Sequence, residues 1–151
     1  MNMSINRWLH RHGFGIHSPW VYAMIRDVLF ESIPYYAYDE LQLQFPNRSR
    51  KVRRMDEQLF RLYNYAASTP INIIGNLSDS AKAYAARGAD THGHTAQPVS
   101  EIIVVEDISG AEKDIWDKLM QNPDATATFD VGGYRGIAFL NPNLTKQHYK
   151  V

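Results

Sequence analysis

The stretch INIIGNLSDSAKAYAARG, residues 71–88, decides the fold class of this chain. Its first four residues have the composition of a buried strand, and Gly75 supplies the turn that follows. Ser78 or Asp79 can cap the alanine-rich helix after the turn, and Gly88 can end it. The stretch therefore predicts a strand, a turn and a helix in succession, which is typical of an α/β fold.

The same alternation continues toward the C-terminal side. IIVV at residues 102–105 is the clearest strand signal, and Glu106 and Asp107 follow it directly. Residues 111–121 then form an amphipathic pattern with charges on one side and apolar groups on the other. The apolar side chains of that predicted helix are Ile115, Trp116 and Leu119.

Two further strand signals close the chain. Residues 125–129 and 134–140 flank Gly132 and Gly133, and a glycine pair suits the positive φ angles of a tight hairpin. We therefore predict a sheet of about four strands, two of them parallel and two forming a C-terminal antiparallel hairpin.

The first 68 residues are helical and aromatic in character. Ser18 followed by Pro19 is a strong helix start, and Pro34 ends the apolar pattern that follows. Residues 52–66 set up another helix with an apolar face. We read 1–151 as one domain, with a helical N-terminal region at 1–68 and an abbreviated α/β core at 69–151.

Composition excludes several classes of protein. There are no cysteines, so disulfide frameworks, thiolate zinc sites and cysteine nucleophiles are excluded. No segment reaches the roughly 20 apolar residues of a membrane span, and residues 1–11 lack an apolar signal run, so we expect a cytoplasmic protein without a membrane partner. The net charge is zero, with +3 over residues 1–68 and −3 over residues 69–151.

One charged cluster stands out in the basic half. Five cations fall within seven residues and follow a tyrosine-rich stretch closely, which is a combination suited to phosphates and stacked bases. The alternative is an ordinary solvated helix start, with Asp56 and Glu57 as ion-pair partners one turn later. The cations of this predicted phosphate or nucleic-acid patch are Arg48, Arg50, Lys51, Arg53 and Arg54, and the tyrosines are Tyr35, Tyr36 and Tyr38.

Six stretches together resemble a group of class I S-adenosylmethionine-dependent methyltransferase-like proteins found in Bacteroidetes. They are HGFGIHSPWVY (12–22), PYYAYDEL (34–41), LFRLYNY (59–65), IIVVEDIS (102–109), TATFDVGGYRGIAF (126–139) and KQHY (146–149). The resemblance implies a Rossmann-like sheet, and it implies S-adenosylmethionine as the cofactor if the protein is active. The fold class expected is thus a truncated Rossmann-like methyltransferase sheet with an N-terminal helical region.

The cofactor motif departs from the pattern that the resemblance implies. The family's acidic position is occupied by Ile73 and its second glycine position by Asp79, so only Gly75 matches. An aspartate at that place competes with the cofactor carboxylate for the amide donors of the helix start. The resemblance leaves Gly75, Asn76 and Asp107 as the candidate cofactor contacts. Glu106 and Asp107 are also candidate ligands of a divalent cation, against the simpler interpretation that Asp107 caps the next helix.

Chain length also indicates that part of the sheet implied by the resemblance is missing. The 83 residues from 69 to 151 hold about four βα-type units, whereas the family's full sheet has seven strands. Strands two, three and four of that sheet are therefore reduced to residues 89–100, where Asp90, His92 and His94 lie in a predicted loop. The strand at 71–75 must then pair directly with the strand at 102–105, and its outer edge is a candidate homodimer contact.

The expected function is that of a methyltransferase-like protein that is degenerate and non-catalytic, binds no cofactor and acts as an interaction module. Two alternatives stay open. One is an active S-adenosylmethionine-dependent methyltransferase of unknown acceptor, and the other is a small RNA- or phosphate-binding protein that uses the basic cluster.

Overall fold

A computed structural model describes residues 4–13, 15–16, 18–32, 35, 37–46, 48–66, 68–90, 99–142 and 144–151. Within these ranges the chain forms six α-helices and a five-stranded mixed sheet. The helices are α1 (Ile5–Arg11), α2 (Pro19–Ala23), α3 (Ala37–Gln44), α4 (Arg50–Ala66), α5 (Asp79–Ala86) and α6 (Lys113–Gln121). The strands are β1 (Ile71–Ile74), β2 (Glu101–Glu106), β3 (Ala125–Val131), β4 (Arg135–Leu140) and β5 (Gln147–Lys150). A π-helical segment (Met24–Leu29) continues α2, and a 3-10 turn (Arg87–Asp90) continues α5.

The sheet has the strand order β1-β2-β4-β3-β5. Strand β1 pairs in parallel with β2, from Ile71 opposite Ile102 to Ile74 opposite Val105. Strand β4 runs antiparallel to both β2 and β3, and β5 lies parallel to β3. The C-terminal ends of β1, β2 and β3 therefore meet at one edge of the sheet, which we call the carboxyl rim.

The predicted α/β class is confirmed, as are the direct pairing of β1 with β2 and the antiparallel hairpin. Gly132 and Gly133 have φ angles of 64° and 75°, as the hairpin requires. The predicted number of strands is wrong, because residues 147–150 add a fifth strand beside β3. Gln147, His148 and Lys150 are polar, so the sequence gives no clear alternation of a half-buried strand. The ring of Tyr149 packs against the core, and the hydrogen bond between Thr128 Oγ1 and His148 Nδ1, 2.8 Å long, also holds the strand. The assignment to a truncated Rossmann-like sheet stays a proposal.

The N-terminal region is helical, as predicted, but its first long helix is not regular. The Ser18 hydroxyl accepts from the Val21 amide and Pro19 opens the helix, so the predicted start is confirmed. After Ala23 the backbone widens into the π-helical segment, so the predicted single helix is really two elements. Helix α1, capped by Ser4, was not predicted.

Apolar side chains cover both faces of the sheet. On one face, helices α2 and α4 and the π-helical segment pack against β2, β3 and β4. The buried side chains there include Trp20, Met24, Leu59, Leu62, Phe129 and Phe139. On the opposite face, Trp116 of α6 packs with Val105 and Ala138. Ile115 was expected to join Trp116, but it is 42% exposed because it lies on the outer side of the helix. No helix in the described ranges is both long and apolar enough to cross a bilayer.

Candidate functional site

Gly75 lies at the carboxyl rim, at the end of β1, and is the first of the candidate cofactor contacts that the resemblance implied. Its φ angle is +104°, a conformation that favours glycine. A Cβ atom at this position would lie 3.0 Å from the carbonyl oxygen of Glu106 and 3.1 Å from its Cβ. The close approach of β2 therefore accounts for this glycine without a ligand.

Glu106 and Arg135 form a buried ion pair on the α4 side of the rim. They face each other as register partners of β2 and β4, and Arg135 Nε donates to Glu106 Oε1 over 2.7 Å. Both residues are 1% exposed. Arg135 Nη1 also donates to the Met55 carbonyl oxygen over 2.8 Å and to Gln58 Oε1 over 3.1 Å. These hydrogen bonds connect helix α4 to β4 at the carboxyl rim.

Each member of this ion pair keeps one polar atom without a hydrogen bond inside the described part of the protein. These atoms are Glu106 Oε2 and Arg135 Nη2, and both are buried. The hydrogen bond to Glu106 comes from Arg135, whereas Arg135 also has the Met55 and Gln58 oxygens, so removing Arg135 would leave Glu106 as an uncompensated charge in the interior.

Asp107 is used by the turn that leads into α6. It has a φ angle of 57°, its Oδ2 accepts from the Ala111 amide over 3.0 Å, and its carbonyl oxygen accepts from the amides of Gly110 and Glu112. The simpler interpretation, that Asp107 caps the next helix, is therefore wrong in detail: the N-cap position of α6 is held by Glu112, and Asp107 stabilises the turn before the helix. Asn76, the third candidate cofactor contact, is exposed. At the start of α5 the capping side chain is Ser78, whose Oγ accepts from the Ala81 amide, while Asp79 is exposed in the first turn.

The acidic residues of the rim do not converge on a shared point. Glu106 is buried against Arg135, whereas the carboxylate of Asp107 bonds to the turn. In the described ranges no group of three or more histidine, cysteine, aspartate or glutamate side chains is placed to hold a metal ion. His92 and His94 lie outside the described residues, as does the Asp90 side chain.

A second candidate site is an open cleft between the end of α3, the start of α4 and the start of α5, which we call the cationic cleft. Its volume is about 580 Å³. The lining residues are Gln44, Phe45, Pro46, Arg48, Ser49, Val52 and Ser80. A smaller cavity of about 50 Å³ shares Phe45, Pro46 and Arg48 with it and adds Arg53 and Tyr84.

Arg48 is the most constrained cation of the basic cluster. It forms an ion pair with Asp56, which is 2% exposed, and its Nη2 donates to Ser80 Oγ over 2.9 Å. Its guanidinium carbon lies 5.6 Å from the ring centre of Phe45 and 5.8 Å from that of Tyr84, within cation–π range. Burial raises the pKa of Asp56, and the nearby Arg48 opposes that rise. Arg48 is therefore a fixed and locally neutralised part of the cleft.

The other four cations of the cluster lie on the first turns of α4. Arg50, Lys51 and Arg54 are exposed and Arg53 is half-buried. Their side chains make no hydrogen bond or ion pair within the part of the chain that the structure describes, because Asp56 is engaged by Arg48. Of the two predicted partners, Asp56 forms its ion pair with Arg48, and Glu57 interacts electrostatically with Arg53 and Arg54.

The aromatic residues beside the cations are not the predicted ones. Tyr38 is buried against Phe60, Tyr35 packs on the same cluster, and Tyr36 lies outside the described residues. Phe45 and Tyr84 take their place next to Arg48. The sequence offered a signal for Phe45, which precedes Arg48 by three residues, but Tyr84 comes from α5 and only the fold brings it near.

Comparisons of the chain with protein-family models, curated proteins and solved structures found no match.

Proposed function

We propose that this chain is a non-catalytic methyltransferase-like protein that acts as an interaction module. The observation that carries the proposal is the closed carboxyl rim. Glu106 and Arg135 are paired and buried where the ends of β1 and β2 meet, and Arg135 also binds the carbonyl oxygen of Met55 in α4. Protein groups thus occupy the edge where α/β proteins receive ligands.

Opening this rim would be energetically costly. Gly75 itself is exposed, but Glu106 on the neighbouring strand is buried in its ion pair with Arg135, so its carboxylate is not free for a ligand seated over Gly75. Separating Glu106 from Arg135 would leave each buried charge without its partner, at a cost of roughly 3–5 kcal/mol. Asp79 adds to the barrier, because its carboxylate lies at the helix start that would otherwise attract the anionic end of the cofactor.

The test is a thermal-unfolding series with S-adenosylmethionine and S-adenosylhomocysteine up to millimolar concentration. We expect no change in Tm. A ligand present at 100 times its Kd would stabilise the fold by about 2.7 kcal/mol, which moves the Tm of a domain this size by several degrees. A concentration-dependent rise with either compound would overturn the proposal in favour of an active methyltransferase.

A matched variant separates the closed rim from the altered motif. Asp79→Gly restores the glycine that the resemblance implies but leaves Glu106 and Arg135 in place. If the rim itself excludes the ligand, the Tm of this variant is as insensitive to S-adenosylmethionine as that of the parent chain. Binding by Asp79→Gly alone would show that the motif, and not the rim, had blocked the cofactor.

A further inference from the structure

We propose that the cationic cleft binds single-stranded nucleic acid, with phosphates on the first turns of α4 and a base against Phe45. This inference rests on the proposed function, because it names the partner of the interaction module. The site combines a cleft that has Phe45 in its lining with four cations on the adjoining first turns of α4, which form no ion pair at contact distance within the described residues. Of these four cations, Arg53 also lines the smaller cavity.

The first cations of the patch are poorly matched to the helix end on which they lie. Positive charges at the start of a helix oppose its macrodipole, which disfavours Arg50 and Lys51 there, and the first turn of α4 holds no acidic residue. Glu57 is the acidic residue that interacts with Arg53 and Arg54, and it also interacts with Arg61. A phosphate chain would supply negative charge beside these cations. Each phosphate contact would also increase the affinity, because it releases condensed counterions.

The cleft supplies the second requirement, a place for a base. Its volume of about 580 Å³ falls in the range of small-molecule sites. Phe45, Pro46 and Val52 give it an apolar lining, and Arg48 is held beside Phe45 by its ion pair with Asp56. Aromatic side chains beside fixed guanidinium groups are the surfaces on which bases of single strands stack.

The two alternative partners of a basic patch fit less well. A duplex presents its bases already stacked, so it would use the four cations and leave the cleft unfilled. An anionic membrane would also use the cations, and the 84% exposed Leu43 next to the cleft makes vesicles a necessary comparison. Both enter the test as competing outcomes.

Fluorescence anisotropy with labelled twelve-nucleotide RNA and DNA single strands tests the inference. With four phosphate contacts, raising the salt from 50 to 200 mM should weaken binding about 50-fold. The variant Arg50→Gln, Lys51→Gln, Arg53→Gln, Arg54→Gln should lose most of that affinity and most of its salt dependence. Phe45→Leu keeps an apolar side chain but removes the stacking face, and it should weaken binding about 5- to 30-fold without changing the salt slope.

The control carries four neutralised cations elsewhere on the surface: Arg26→Gln, Lys113→Gln, Lys118→Gln and Lys150→Gln, all at exposed positions. It should bind as the parent chain does. Equal loss in this control, unchanged binding by the patch variant, or equal binding by Phe45→Leu would each overturn the inference. So would tighter binding to duplex DNA, to heparin or to vesicles of phosphatidylserine and phosphatidylcholine than to the single strands. None of these readouts involves S-adenosylmethionine, so this inference and the proposed function fail on separate measurements.

Discussion

Arg135 illustrates how much one side chain can contribute to the stability of the fold. It neutralises Glu106, binds the Met55 carbonyl oxygen and is 1% exposed. We expect Arg135→Met to lower the free energy of unfolding by about 3–5 kcal/mol, because Glu106 would remain buried without a partner. Urea unfolding followed by circular dichroism measures the change.

A double variant distinguishes the cost of the orphaned charge from lost packing. Arg135→Met combined with Glu106→Leu replaces both charges by apolar groups, and it should regain at least half of the loss. The control Lys118→Met changes an exposed cation and should stay within about 0.5 kcal/mol of the parent chain. Equal losses for the single and double variants would mean that the ion pair is not what holds the rim.

Tyr38 should make the stability of the protein depend on pH in the alkaline range. Burial raises the pKa of Tyr38 to about 12, and the nearby Arg61 opposes that rise. The unfolded chain releases this proton near pH 10, so the contribution of the neutral phenol is complete below pH 10 and is lost as the pH rises from 10 to 12. The Tyr38→Phe variant has no phenol proton, so its stability lacks this dependence on pH. Across that window the parent chain should lose about 1–2 kcal/mol more than the variant in urea unfolding, and parallel curves would contradict the assignment.

Local signals account for the residues that could be predicted from the sequence. Ser18 and Ser78 cap their helices, and the glycine pair turns the hairpin, because each acts on neighbours within a few residues. The pairing of Glu106 with Arg135 joins residues 29 positions apart. Only the register of β2 and β4 brings them together, so no local pattern could have predicted that the rim is closed.

Among the helices, α6 packs on the sheet through Trp116, Leu119 and Met120, and its closest approach is at Gly136. Trp116 lies over Gly136 of β4, and a Cβ at Gly136 would lie 2.5 Å from ring carbons of the tryptophan. We expect Gly136→Ala to push the helix from the sheet and to lower the free energy of unfolding by about 1–3 kcal/mol.

A double-mutant cycle checks that this contact is the cause. Trp116→Leu removes the ring that the new methyl group would meet, so Gly136→Ala should cost clearly less in that background. Additive losses would show that the methyl group is instead resisted by the strand itself. Urea unfolding of the four proteins provides the measurement.

Elements with strong periodicity were the predictable ones. Strands β1 and β2 and helices α4, α5 and α6 follow from apolar spacing and capping residues, within a few residues at their ends. Strand β5 was missed because three of its four residues are polar, and it is held by pairing with β3 and by Tyr149 packing on Phe129. The π-helical widening after Ala23 was missed for a related reason, since the apolar face is the same for a regular helix and only tertiary packing distinguishes them.

The oligomeric state of the protein depends on the outer edge of β1. This strand pairs with β2, and within the described ranges no strand covers its other side. Ile71 and Ile73 turn their side chains toward the α4-side core, so the edge offers backbone groups more than apolar surface. An unpaired edge with open backbone donors and acceptors favours pairing with a second chain. The edge of β1 thus predicts a homodimer joined through this strand.

Light scattering coupled to gel filtration at micromolar concentration tests this prediction. The native chain should elute as a species of twice 17.3 kDa. Asn72 is exposed on β1, so Asn72→Lys places a charge at the edge of each copy and should shift the population to the monomer, because the two lysines would oppose each other. Thr145→Lys adds the same charge at an exposed position before β5, at the opposite end of the sheet, and should leave the dimer intact. A native chain that elutes at 17.3 kDa would mean that the edge is covered within one molecule, and the N-terminal helices would then be the first segment to test by crosslinking to β1.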